Sequence, residues 1–174
     1  MSSQTLYLLD ANILITAARD FYNFDFGNNF WDFLVRKAEY NRINSIDKVY
    51  DEIIGGNDRL KEWAKTDFFE HFLDTTEAEV LNNYSELMEW VKKQKGKYNP
   101  DAIDDFREEG NADPWLIAYA MKNKQRIVIV TFERKVDNIK RKIPIPNVCE
   151  EFDIKYCDLY KMLKNLNFKF CIEI

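Results

Sequence analysis

The chain has one histidine and three cysteines among its 174 residues, and its 25 lysines and arginines are outnumbered by 30 aspartates and glutamates. Each scarcity closes a route. A single histidine, His71, excludes acid–base catalysis by a histidine pair, and it sits in an apolar, strand-like stretch that reads as structural. Cys149, Cys157 and Cys171 are odd in number, lack zinc-type spacing and have no histidine placed to activate a thiolate. They read as reduced thiols of a cytoplasmic protein. No apolar run approaches the roughly 18–20 residues of a membrane span, and no basic region precedes an apolar stretch at the N-terminus, as a secretory signal requires. The net charge of −5 argues against nucleic-acid binding by bulk electrostatics. That argument weakens if some of the acids form a cluster whose charge a bound cation cancels. There is no repeat, low-complexity segment or linker.

What is present is an alternation of short apolar runs and amphipathic stretches. Strands are predicted at Leu6–Leu9, Arg42–Ile46, Phe68–Leu73, Arg126–Thr131 and Ile154–Cys157, with a further one in the tail, 168–174. The fourth of these, with Ile127-Val128-Ile129-Val130, is the best. Helices are predicted over 11–18, after Asp47 (capped by it, with Val49, Ile53 and Ile54 inward), over 76–95 (Val80, Leu81, Tyr84, Leu87, Met88 and Val91 inward), from Asp113 to Met121, over 147–152 and over 158–166. Gly55-Gly56-Asn57-Asp58 stops the second, and Ile143-Pro144-Ile145-Pro146 reads as an extended breaker. The acidic segment 98–110 has no clear assignment. Strands alternating with helices predict an α/β fold with a mainly parallel sheet covered on both faces, built as one domain over 1–174 with a helical insertion around 76–110.

Four acids stand where strands end or helices begin: Asp10, Glu52, Asp113 and Glu133. A parallel sheet gathers the carboxyl ends of its strands at one edge, where ligands bind. Four carboxylates meeting there require a cation, and hard oxygen donors suit Mg²⁺ or Mn²⁺. Each acid also has a plain structural reading. Asp10 can cap the next helix. Glu52, taken alone, reads as a surface glutamate. Asp113-Pro114 is a helix start in its own right. Glu133 can simply terminate a buried strand. Asn12 and Thr131 are candidates for supporting the carboxylates or for capping. Arg134 and Lys135, in a basic cluster that continues through Lys140, Arg141 and Lys142, are candidate phosphate contacts. The opposing reading is a solvated face. Tyr22, Phe24, Phe26 and Trp31 either stack bases or pack the first helices or a dimer interface, and packing is favoured.

Together, Leu9-Asp10-Ala11-Asn12-Ile13-Leu14, Asp51-Glu52-Ile53, Ala112-Asp113-Pro114-Trp115-Leu116 and Val130-Thr131-Phe132-Glu133 resemble the motifs of PIN-domain nucleases. They are most similar to a prokaryotic, DUF4411-like subgroup related to the VapC-type toxin ribonucleases. The resemblance implies a three-layer α/β/α sandwich and a Mg²⁺/Mn²⁺ site formed by Asp10, Glu52, Asp113 and Glu133 with Asn12 and Thr131 in support. It further implies hydrolysis of RNA, single-stranded or tRNA, by the toxin of a type II toxin–antitoxin pair, with an antitoxin partner and a homodimer. The pattern departs from the family at Glu133, where aspartate is usual. Two other readings compete. A phosphatase with an Asp10 nucleophile wants an acid where Asn12 stands. A non-catalytic PIN-like module binding RNA or protein is kept open by Glu133.

Overall fold

A computed structural model describes residues 4–56 and 59–169. Five strands, β1 (Leu6–Leu9), β2 (Ile43–Ile46), β3 (Phe72–Leu73), β4 (Ile127–Val130) and β5 (Lys155–Cys157), form one sheet in the order β3-β2-β1-β4-β5. Every pairing is parallel. Helices cover both faces, giving the α/β sandwich that the alternation predicts. The central strand β1 is buried along its whole length. That is why it reads as an unbroken apolar run rather than an alternating one. In β4, Ile127, Ile129 and Val130 are buried while Val128 is only partly so.

The strand order places the site. From β1 the chain builds outward through β2 to β3, then returns to lay β4 on the other side of β1. Connections leaving β1 and β4 therefore diverge, and the carboxyl ends of these two neighbours border the crevice where open parallel sheets bind ligands. The register fixes what lies there. Leu9 pairs with Val130, so the next residues, Asp10 and Thr131, face each other across the edge. Ser45 ties β2 to the same point by donating to the Leu9 carbonyl at 2.6 Å.

The helices are α1 (Ala11–Thr16), α2 (Asn28–Glu39), α3 (Asp47–Ile54), α4 (Arg59–Thr66), α5 (Ala78–Lys92), α6 (Pro100–Arg107), α7 (Asp113–Ala120), α8 (Ile145–Glu151) and α9 (Leu159–Asn165). Helix α7 is apolar nearly all round because it is buried nearly all round. Helix α5 packs on it through a Tyr84–Trp115 ring stack at 3.9 Å and an Asn83 side-chain bond to the Ala118 carbonyl at 3.0 Å.

Several expectations change. Most of the Phe68–Leu73 run is not a strand: Phe69–His71 is a 3₁₀ turn, and only Phe72 and Leu73 pair with β2. Helix α1 gives way at Ala17–Phe21 to a π-helical turn. Leu81, placed on the inward face, is 43% exposed. Ile54 is half-buried. Helix α8 begins inside the supposed breaker, with Pro146 in its first turn, where proline has no hydrogen bond to lose. The unassigned acidic segment contains α6. Helices α2 and α4 were not anticipated. Asp47 is the first residue of α3, and its carboxylate accepts from the Thr75 hydroxyl at 2.7 Å. Phe168 and Lys169 are not in a strand, and the rest of the proposed tail strand lies outside the described residues. Among the described residues, no helix is long and apolar enough to cross a membrane.

Candidate functional site

The hydroxyl of Thr131 is the hub. A hydroxyl carries one donor hydrogen and two acceptor lone pairs, and this one uses all three. It donates to Asp10 Oδ2 at 2.7 Å, accepts from Asn12 Nδ2 at 3.1 Å and accepts from the Glu133 backbone N–H at 3.0 Å. Asn12 completes the link, its Oδ1 accepting from the Phe132 N–H at 3.2 Å. Asn12 and Thr131 thus lock the ends of β1 and β4 together. Asp10 is also the cap of α1, its Oδ1 accepting a long 3.4 Å bond from the Asn12 N–H. The capping reading of this residue holds.

Asp113 does not cap its helix as the Asp-Pro pair predicts. Ala112 is the flanking residue, Asp113 is the first residue of α7, and its N–H donates to Asn111 Oδ1 at 2.9 Å. Among the described residues, no hydrogen bond reaches the Asp113 carboxylate. Asn111 in turn donates to the Asp105 carbonyl at 3.1 Å, so the end of α6 steadies the segment that presents Asp113. Glu52 projects from α3 to the same segment, where its Oε1 accepts from the Ala112 N–H at 2.9 Å. Its surface reading is half right: the residue is exposed overall, yet its carboxyl group is anchored beside Asp113.

These groups act on one another electrically. Burial pushes the Asp10 carboxyl up to about 7. The Thr131 hydrogen bond opposes this, and the charges of Glu133 and Glu52 add to it. Asp113 is raised well above the ordinary carboxylate range, by burial first and then by Asp10 and Glu133, against an opposing pull from Lys142. Glu52 is raised by burial of its carboxyl group, with the Ala112 N–H opposing.

Glu133 is differently placed. One oxygen, Oε1, is ion-paired with Lys142 Nζ, and the other, Oε2, accepts the Ile145 N–H at 2.7 Å. The basic cluster marks Lys142 only as one cation of five; no local pattern singles it out, because a loop brings it back to Glu133. Burial alone lowers the affinity of the Lys142 ammonium for its proton, but Glu133, Asp113 and Asp10 outweigh that and raise it. Although the charges of Glu52 and Glu133 act on Asp10 and Asp113, among the described residues no three acidic, cysteine or histidine side chains stand close enough to hold a metal ion. The cause is visible: Glu52 is turned to Ala112, and Glu133 to Lys142 and α8.

The other candidates lie apart. Lys135 pairs with Glu150 at 2.7 Å and Asp137 at 3.6 Å, and Arg134 is exposed. Tyr22 stacks on Phe30 and Phe24 on Trp31, at 4.1 and 4.2 Å, which is the packing reading; Phe26 is left 78% exposed. His71 is half-buried against the edge of Phe68. Cys149 and Cys157 are free thiols, and Cys171 lies outside the described residues.

The family model described as Domain of unknown function (DUF4411) matches residues 7–170, a span that takes in all four acids. No curated protein and no solved structure matches the chain.

Proposed function

The chain belongs to the DUF4411 family, and we propose that it is a metal-dependent endoribonuclease that hydrolyses RNA phosphodiester bonds. One observation carries this reading. Asp10 and Asp113, far apart in sequence, lie close enough at the edge of the parallel sheet for the charge of Asp10 to raise the proton affinity of Asp113, and burial raises both. Charge held together in this way is destabilising until a cation enters.

The residues fit a hard divalent cation such as Mg²⁺ or Mn²⁺. The donors are carboxylate oxygens, Asp113 has its lone pairs free among the described residues, and Asp10 Oδ1 keeps only the 3.4 Å contact. Asp10 and Asp113 would hold the cation, with Glu52 completing the set by releasing Ala112. Bound there, such an ion polarises a phosphoryl oxygen and makes water more acidic. Thr131 holds Asp10 Oδ2 with a 2.7 Å hydrogen bond, which leaves Oδ1 as the less committed oxygen. Asn12 keeps the two strand ends from separating. In hydrolysis a water oxygen bonds to phosphorus, and the departing ribose oxygen takes the electron pair of the broken P–O bond.

The resemblance to PIN-domain nucleases of the VapC type extends the reading. It makes the chain a cytoplasmic, homodimeric toxin of a type II toxin–antitoxin pair, acting on single-stranded RNA or tRNA and silenced by an antitoxin. The alternative, a non-catalytic module that binds RNA or protein, is favoured by one feature: both Glu133 oxygens are already occupied.

The test is cleavage of a pool of single-stranded and structured RNAs with Mn²⁺ or Mg²⁺, using wild type, Asp10→Asn, Asp113→Asn and an EDTA control. Metal-dependent cleavage lost in both variants is the expected result. Cleavage that survives either substitution would sink the site assignment. No cleavage and no metal binding would leave the non-catalytic module.

A further inference from the structure

Glu133 is the acid that departs from the PIN-domain pattern the chain resembles, and it is also the one that meets a cation supplied by the chain itself. Its side chain is 14% exposed, whereas that of Lys142 is 55% exposed, so the ammonium reaches in from solvent to a largely enclosed carboxylate. The second oxygen is held by the Ile145 N–H at the start of α8. The extra methylene of glutamate over aspartate gives the reach to turn from the Asp10–Asp113 pair toward these two donors. Lys142 also lines, with Asp113, Asn111, Phe106 and Arg141, a cavity of about 170 Å³ beside Asp113. An ammonium has three N–H donors, and among the described residues only Glu133 takes one from Lys142.

We propose that Lys142 is a resident cation of the site. It occupies the place against the fourth carboxylate that a second divalent ion would take, and so limits the protein to one divalent ion, held by Asp10, Asp113 and Glu52. This rests on the metal-dependent reading above. The physical reason is repulsion: a divalent ion on Glu133 would share a carboxylate with an ammonium already bound to it, in a partly buried setting where like charges are poorly screened. Lys142 is accordingly a positioning residue. It holds Glu133 out of the metal's coordination and keeps a fixed positive charge at the cavity beside Asp113.

The test is Mn²⁺ stoichiometry on the full chain at neutral pH, read by calorimetry and by the electron spin resonance of free Mn²⁺. Wild type, Lys142→Met, Lys142→Arg, Glu133→Gln and Asp10→Asn are compared, each checked for folding by circular dichroism. The expected result is one Mn²⁺ for wild type, Lys142→Arg and Glu133→Gln, and two for Lys142→Met, where Glu133 is released. Two ions in wild type, falling to one in Glu133→Gln, would overturn the proposal while leaving the metal site standing. One ion in both wild type and Lys142→Met would also overturn it. No Mn²⁺ binding in wild type would remove the metal-dependent reading itself.

Discussion

Replacing Asp10 by asparagine should make the metal-free protein much less sensitive to pH. In the folded chain the Asp10 carboxyl is raised from 3.8 to about 7, chiefly by burial. A carboxyl raised on folding binds its proton more tightly in the native state, so its stabilising effect is complete below the unfolded value. It is lost as pH rises through the folded one. The whole shift corresponds to about 4 kcal/mol, of which roughly 3 kcal/mol falls between pH 5 and pH 8. Asparagine cannot ionise, so it lacks this loss. It also relieves Asp113, whose raised proton affinity owes part of its size to Asp10, and that contribution has the same sign. Comparing the two proteins at both pH values cancels whatever the amide costs in hydrogen bonding to Thr131. The assay is urea denaturation in EDTA. Between pH 5 and pH 8, wild type should lose about 3 kcal/mol more than Asp10→Asn, a difference of roughly 1–2 M in urea midpoint. Parallel pH dependence in the two proteins would refute the burial and crowding ascribed to Asp10.

Two further outcomes test the frame around the site. Thr131→Val keeps the shape but leaves Asp10 Oδ2, Asn12 Nδ2 and the Glu133 N–H without their shared partner. It should cost roughly 2–4 kcal/mol and push the Asp10 carboxyl higher still, with Thr131→Ser restoring most of the loss in chemical denaturation. Gly27→Ala should cost roughly 1–3 kcal/mol by overpacking, because the new methyl group would lie 2.6 Å from the Tyr22 carbonyl carbon and 2.8 Å from the Asn23 carbonyl oxygen. A thermal melt unchanged from wild type would show that this turn yields.

The sequence alone carries the fold class and the identity of the central strands. Leu6–Leu9 and Ile127–Val130 are legible because a strand buried on both faces must be apolar throughout. The acids at their ends are legible for the complementary reason, since a carboxylate directly after such a run needs a purpose. Helix α6 and the shortness of β3 were not legible. Strand extent depends on a partner: Ser45 and Ile46 of β2 pair with Phe72 and Leu73 alone. The site's internal wiring was equally hidden. Which side chain satisfies Asp10 depends on the Leu9–Val130 register, and register is a long-range property. The role of Glu52 required the Ala112 N–H, 60 positions away. That Asp113 does not cap follows from where the helix starts, with Ala112 at the flanking position and Asp113 already inside the first turn. That Glu133 faces an ammonium, and not its fellow acids, was decided by a loop whose path no local pattern encodes. Composition and periodicity specify which residues must be buried and which must be charged. Only the tertiary structure brings together groups whose energies depend on distance, and so decides which charges meet.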